Sequence, residues 1–222
     1  MRNALIAGAS GLIGGRLLEL CRGDAKYGQV HVLTRRPLSL GAAGGVTEHV
    51  VDFATLAKAD LGDARVDDVF CALGTTIRTA GSKDAFRRVD HDYVLALGKL
   101  ALRLGVRRFL LVSSLGADPD TSNFYLRTKG EVEAALGELG PGQLYVFRPS
   151  LLRGARREFR LGEVLGNAAM GLASPLLPKK LRPVTDETLA RAMLAVARDE
   201  ASAFRIYESN EIQELGAALD AR

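Results

Sequence analysis

Tyr125 and Lys129 stand four residues apart in YLRTK, and Ser114 lies eleven residues before the tyrosine, within LLVSSLGAD. On a helix, a spacing of four brings two side chains onto one face. A free tyrosine has a pKa of about 10, too high for efficient proton exchange near neutrality, and a neighbouring ammonium favours the phenolate. The pair therefore predicts Tyr125 as a general acid or base assisted by Lys129. Ser114, or Ser113 beside it, would hydrogen-bond a carbonyl or alcohol oxygen at the end of a strand and hold it for proton transfer. Tyr-x-x-x-Lys alone is a common surface pattern; its weight here comes from the strand that precedes it and from the turn that opens the chain. Gly130, next to Lys129, costs a helix about 1 kcal/mol relative to Ala, which a close approach to a sheet or cofactor would explain.

The opening turn is LIAGASGLIG, Leu5 to Gly14, an apolar run leading into Gly8, Gly11 and Gly14 and then into a helical pattern. Gly8 permits a tight turn off the strand, Gly11 lets backbone N–H groups approach a pyrophosphate, and Gly14 brings helix close to sheet. With Ala9, Ser10, Leu12 and Ile13 they form a loop that would seat a dinucleotide on the helix N-terminus. A unit that prefers NAD usually ends its second strand with an acid for the ribose 2′-hydroxyl. Here the segment reads VLTRRP, and Arg35 and Arg36 match a 2′-phosphate through charge-assisted hydrogen bonds. The expected cofactor is NADP(H). Asp52 and Phe53, after the third apolar run, would offer the adenine a hydrogen bond and an apolar edge.

Other chemistries fit less well. GASG around Ser10 is not Gly-x-Ser-x-Gly, and no His or acid is placed to complete a hydrolase triad. Asp90 and Asp92 in VDHDY diverge on a helix and read, with His91, as a solvated face. The three His have no metal-ligand spacing, so no metal is expected. A net charge of +4 with scattered basic pairs gives no nucleic-acid stripe. The apolar-rich stretch from Leu161 to Pro178 is interrupted by Glu163, Asn167 and glycines, which excludes a bilayer span. Cys21 and Cys71, without Cys-x-x-Cys spacing, read as buried thiols in a reducing compartment. A cytoplasmic protein is expected.

Strand-length apolar runs recur at Ala4–Ala7, Val30–Leu33, His49–Val51, Val69–Leu73, Phe109–Val112 and Leu144–Phe147. Helical patterns at Leu12–Leu20, Ala85–Leu104 and Phe124–Leu139 lie between them. This alternation predicts an α/β fold, a doubly wound parallel sheet of the Rossmann type whose ligand site opens at the carboxyl ends of the strands. Those ends are Gly8–Gly14, Thr34–Arg36, Asp52–Phe53, Leu73–Thr76, Ser113–Ser114 and Arg148–Leu152. Length and composition, 222 residues with 47% apolar, fit a single domain over the whole chain. Residues 151–185, rich in Gly, Pro and Leu, would form a small C-terminal cap of loop and helix over the site. Thr185 would then cap a helix over Asp186–Arg198, followed by a strand at Phe204–Tyr207 and a helix at Asn210–Leu219.

GASGLIG, LTRRP, VDF, CALGTT, VDHDYV, VSSLGAD, YLRTKGEVEA, FRPSLL and RAML, in this order, resemble the short-chain dehydrogenase/reductase superfamily. More narrowly, they are similar to its atypical members of the Tat-interacting oxidoreductase family. The resemblance spans nearly the whole chain and implies a Rossmann fold with bound NADPH. It implies that Gly8 to Gly14 hold the pyrophosphate, that Arg35 and Arg36 flank the 2′-phosphate, and that Leu73 and Gly74, with Thr75 beside them, line the adenosine ribose. It makes Tyr125 the proton-transfer residue and puts Lys129 on the nicotinamide ribose. Arg148 and Leu152 would belong to the segment that closes over the nicotinamide. Many short-chain reductases carry Asn where this chain has Asp90, which puts a proton relay through that position in doubt.

The leading expectation is an NADPH-binding oxidoreductase that reduces a carbonyl of an unidentified small molecule. An NADPH-sensing regulatory or scaffold protein, and an enzyme like the nucleotide-sugar epimerases, are the alternatives. The roughly 70 residues after the sixth strand leave limited room for a nucleotide-sugar domain. The sequence leaves a homodimer and a protein partner open.

Overall fold

The computed structural model describes residues 1–38, 44–153, 178–198 and 203–218. Strands β1 (Arg2–Ala7), β2 (Tyr27–Thr34), β3 (Val46–Val50), β4 (Asp68–Cys71), β5 (Arg108–Val112) and β6 (Gln143–Arg148) are followed by the two-residue strands β7 (Leu152–Arg153) and β8 (Val184–Thr185), then β9 (Phe204–Glu208). Seven of them form one sheet of order β3-β2-β1-β4-β5-β6-β9, parallel throughout. The strand order reverses between β1 and β4, and in such sheets the ligand crevice lies outside the carboxyl ends at that point.

The helices are α1 (Leu12–Gly23), α2 (Ile77–Ala80), α3 (Lys83–Arg87), α4 (Tyr93–Leu104), α5 (Phe124–Leu139), α6 (Asp186–Arg198) and α7 (Ser209–Ala218). Alternation along β1 sorts them into two layers. Ala4 and Ile6 join Leu17 of α1, Met193 of α6 and Ile212 of α7 in one core. Leu5 and Ala7 join Leu56, Leu97 of α4 and Leu136 of α5 in the other. Because both faces are covered, the strands read as near-continuous apolar runs.

Several boundaries differ from the sequence expectation. The third strand starts earlier, because Val46 and Thr47 pair with Val30 and His31. The fourth stops at Cys71, which frees Leu73–Thr76 as a loop. The helix expected over Ala85–Leu104 begins at Lys83 and contains a π turn at Arg88–Asp92 between α3 and α4. A 3-10 helix at Phe53–Lys58 and the β7–β8 pair are additions. Thr185 caps α6 by accepting from the Thr188 N–H (3.0 Å). Of the expected cap over 151–185, only 151–153 and 178–185 are described, so Leu161–Pro178 lies almost wholly outside the described residues.

At the amino ends of the strands, Asp68 and Arg108 are fully buried and form an ion pair of 3.1 Å, and the Tyr27 hydroxyl donates to Asp68 at 2.7 Å. At the β2–β3 edge, His31 Nδ1 and His49 Nε2 lie 3.0 Å apart. Burial lowers the pKa of both rings, and the neighbouring His49 lowers that of His31 further. The unfolded chain therefore takes up protons first as the pH drops below about 6.5. Stability from this pair is intact above that value and is lost as the pH falls through the folded-state values. The melting temperature is expected to decrease between about pH 7.5 and 5.5, and to decrease less in His49→Gln. Equal pH slopes for the two proteins would contradict this account.

Candidate active site

The turn after β1 is shaped by backbone contacts. Gly8 has a φ of +94°, and a Cβ there would sit 2.5 Å from the Ala72 carbonyl oxygen. A Cβ on Gly14 would lie 2.2 Å from the Gly8 carbonyl oxygen, so only glycine lets α1 start this close to the strand. Ala9 and Ile13 are buried supports, while Ser10 and the edge of Leu12 face outward. Gly11 is the N-cap of α1 and no side chain caps its first N–H groups. Beside this end lies a cleft of about 310 Å³, lined by Ser10, Gly11, Leu12 and Gly15 and, farther along α1, by Arg16, which pairs with the lining acids Glu19 and Asp186. An uncapped helix start behind a turn that tolerates no Cβ fits a pyrophosphate.

Arg35 and Arg36 follow β2 and are exposed, with no ion pair among the described residues. Asp52 caps the 3-10 helix by accepting from the Ala54 N–H (2.9 Å). The expectation that Phe53 offers an apolar edge to adenine needs correction. Phe53 is buried, and its ring packs edge-on against Tyr93 with centroids 5.7 Å apart, because it anchors that helix in the core. Leu73 is buried as well, while Gly74 is exposed and Thr75 half-buried.

The residues expected to take part in proton transfer, Tyr125 and Lys129, sit on α5, whose bounds match the sequence expectation. Asn123 caps it by accepting from the Leu126 N–H, and Gly140 ends it in the left-handed conformation. Tyr125 is half-buried, its ring centroid 5.5 Å from that of Phe86. Lys129 is buried and its Nζ lies 2.7 Å from Asp90 Oδ1. That contact is an ion pair without hydrogen-bond alignment at Oδ1, while Asp90 Oδ2 accepts from the Thr75 N–H at 2.8 Å. Burial alone would lower the Lys129 pKa, but Asp90 and then Tyr125 outweigh it, so the pKa is raised and the ammonium persists. Gly74 backs onto this pair: a Cβ there would lie 3.3 Å from Asp90 Oδ1 and 3.8 Å from Lys129 Nζ. Cys71, fully buried at the end of β4, has its thiol pKa pushed up to about 12 by burial, against a smaller opposing effect of Lys129.

Asp90 is therefore not part of a solvated face. Asp92 is 57% exposed on its side chain and Asp90 is 1% exposed. The signal was present: Phe86, Asp90, Val94 and Leu97 recur at helical spacing, and the other three are core residues. The close approach expected at Gly130 is also different. A Cβ there would lie 2.3 Å from Asp118 and Pro119 in the β5–α5 loop, so the glycine admits that loop and neither the sheet nor a cofactor.

The two serines after β5 have different surroundings. The Ser113 hydroxyl donates to Glu133, while the half-buried Ser114 hydroxyl makes only a 3.5 Å contact with the Leu115 carbonyl. Glu133, one turn beyond Lys129, also receives Arg148 through Nε at 3.2 Å to each oxygen. Arg148 Nη1 lies 3.7 Å from Glu208, and these acids raise its pKa. Arg148, expected in the segment that closes over the nicotinamide, has its guanidinium engaged by Glu133 and Glu208, and so ties β6 to α5 and β9. Leu152 is 38% exposed and pairs with Val184. Glu133 was missed because nothing local announces its partners, fifteen and twenty residues away.

The chain matches the model of the NAD dependent epimerase/dehydratase family over residues 4–145. Protein HTATIP2 of Rattus norvegicus is 39% identical over 223 residues, covering 99% of this chain and 91% of the relative. Protein FMP52, mitochondrial, of Eremothecium gossypii is 31% identical over 220 residues, 96% of each chain. Among solved structures, the UDP-Glc/GlcNAc 4-epimerase from Campylobacter jejuni superposes with a TM-score of 0.71 at 16% identity, covering 96% of this chain and 82% of the other. MoeE5 in complex with UDP-glucose and NAD gives a TM-score of 0.67 at 18% identity, covering 99% of this chain and 82% of the other. At such identities the likeness is one of fold, and the fold is the expected Rossmann type. The cytoplasmic expectation does not stand, since the fungal relatives are named as mitochondrial proteins. No helix among the described residues is long and apolar enough to cross a membrane. By its family match and by the coverage of these relatives, the chain belongs to the NAD dependent epimerase/dehydratase family.

Proposed function

We propose that the protein is an NADPH-dependent oxidoreductase that reduces the carbonyl group of a small molecule. The observation that carries this reading is the buried Lys129 ammonium, kept charged by Asp90, one helical turn from Tyr125 and against Gly74 at the carboxyl end of β4. The preference for a 2′-phosphate is supported by Arg35 and Arg36, exposed and without ion pairs among the described residues. The turn Gly8–Gly14 would hold the pyrophosphate, and Leu73, Gly74 and Thr75 would line the adenosine ribose. Lys129 has three N–H donors and, while paired electrostatically with Asp90, would direct them to the nicotinamide ribose.

When bound, the nicotinamide supplies a hydride to the carbonyl carbon. Tyr125 Oη gives its proton to the carbonyl oxygen, and Ser114 Oγ hydrogen-bonds that oxygen and fixes its position. Lys129 offsets the charge left on the tyrosine oxygen until solvent returns a proton. Ser114 is favoured over Ser113 for this role because the Ser113 hydroxyl is already directed at Glu133.

In a panel of aldehydes and ketones, the protein is expected to oxidise NADPH, and Tyr125→Phe to lower turnover by ~10²- to 10⁴-fold with NADPH affinity kept. Turnover unaltered in Tyr125→Phe would overturn the mechanism. Calorimetry is expected to give at least about tenfold tighter binding of NADPH than of NADH, and equal affinities would refute the cofactor assignment. Asp90→Asn leaves a buried ammonium without its counter-charge, an effect of about 3–5 kcal/mol in urea unfolding. The double variant Asp90→Asn/Lys129→Met should recover much of that loss, and a single-variant loss below about 1 kcal/mol would contradict the role of the pair.

A further inference from the structure

The turn that carries Arg35 and Arg36 is anchored from the neighbouring strand. Glu48, half-buried on β3, accepts through Oε1 from the Leu38 backbone N–H (2.6 Å) and from Thr34 Oγ1 (3.2 Å). These two donors bracket Arg35, Arg36 and Pro37. Thr34, the last residue of β2, is buried, and its carbonyl also accepts from the Val51 N–H at 2.9 Å. The β2–β3 register pairs Glu48 with Val32, so its carboxylate extends beyond its own rung to the end of β2. It makes no ion pair among the described residues, and the guanidiniums are left exposed.

We infer that Glu48 is a positioning residue for the 2′-phosphate subsite: by holding the Leu38 N–H and the Thr34 hydroxyl it fixes the turn that presents Arg35 and Arg36, and so sets the selectivity between NADPH and NADH. This rests on the NADPH reading above. Pro37 stiffens the turn beside Leu38 and Glu48 closes its two ends, so the arginines meet the phosphate without first losing backbone freedom. The carboxylate acts through its acceptor atom, while its negative charge opposes a nearby phosphate. Those two effects can be separated by substitution.

The test is calorimetric titration of the full chain with NADPH and with NADH, together with thermal melts. Glu48→Met keeps the length and removes the acceptor; it is expected to weaken NADPH about tenfold and to leave NADH within about twofold. Glu48→Gln keeps an acceptor and removes the charge, and its NADPH-to-NADH affinity ratio should equal or exceed that of the unmodified protein. Should Glu48→Met fail to fold, Glu48→Ala carries the same expectation. If the unmodified protein does not distinguish NADPH from NADH, the cofactor reading fails and this inference with it. If it does distinguish them and the ratio is unchanged in the Met and Ala variants, or falls equally in Gln, the inference alone is overturned.

Discussion

The ion pair between Asp90 and Lys129 is the contact on which the arrangement of the site depends. Two buried charges are costly unless each is well partnered. Here the acid also takes the Thr75 N–H, so one carboxylate joins the β4 loop, the π turn and α5. One turn farther along α5, Glu133 connects the same helix to Ser113 of the β5 loop and to Arg148 of β6. These contacts at two successive turns fasten the helix that carries Tyr125 to the sheet. This is the kind of rigidity that proton transfer over a hydrogen-bond length requires.

The site divides along the sheet. Toward β1, β2 and β3 the chain offers backbone groups and exposed guanidiniums, as suits a charged ligand that needs a firm seat and no chemistry. Toward β4, β5 and β6 it offers a phenol, an ammonium and hydroxyls, some already committed to carboxylates. The reversal of strand order between β1 and β4 is where the two halves meet, and an extended ligand laid across it would touch both. The buried Asp68 and Arg108 tie β4 to β5 at the opposite end of the sheet, away from this chemistry.

What the sequence made legible was local. The glycine turn, the arginine pair and the bounds of α5 follow from spacing, capping and the backbone freedom of single residues, and the structure has them where expected. The two-residue spacing of Asp90 from Asp92 points it to solvent, whereas its four-residue spacings to Phe86 and Val94 set its burial. Phe53 resembles a ligand contact in the sequence, since a residue at a strand end looks the same whether it faces a crevice or starts a 3-10 helix in the core. Arg148, Glu133 and Glu48 depend on partners brought together by the sheet, which no window of the chain displays. The two solved structures share the fold at 16–18% identity, which reports the scaffold and not what the site accepts.

Cys71 gives one further consequence. Its sulfur lies at the end of β4, within electrostatic reach of Lys129 and Asp90, yet with a pKa near 12 it remains a thiol. Thiols attack electrophilic carbon far more slowly than thiolates do. Burial therefore keeps this sulfur protonated beside two charged groups, and the same burial shields it from alkylating reagents for as long as the chain stays folded.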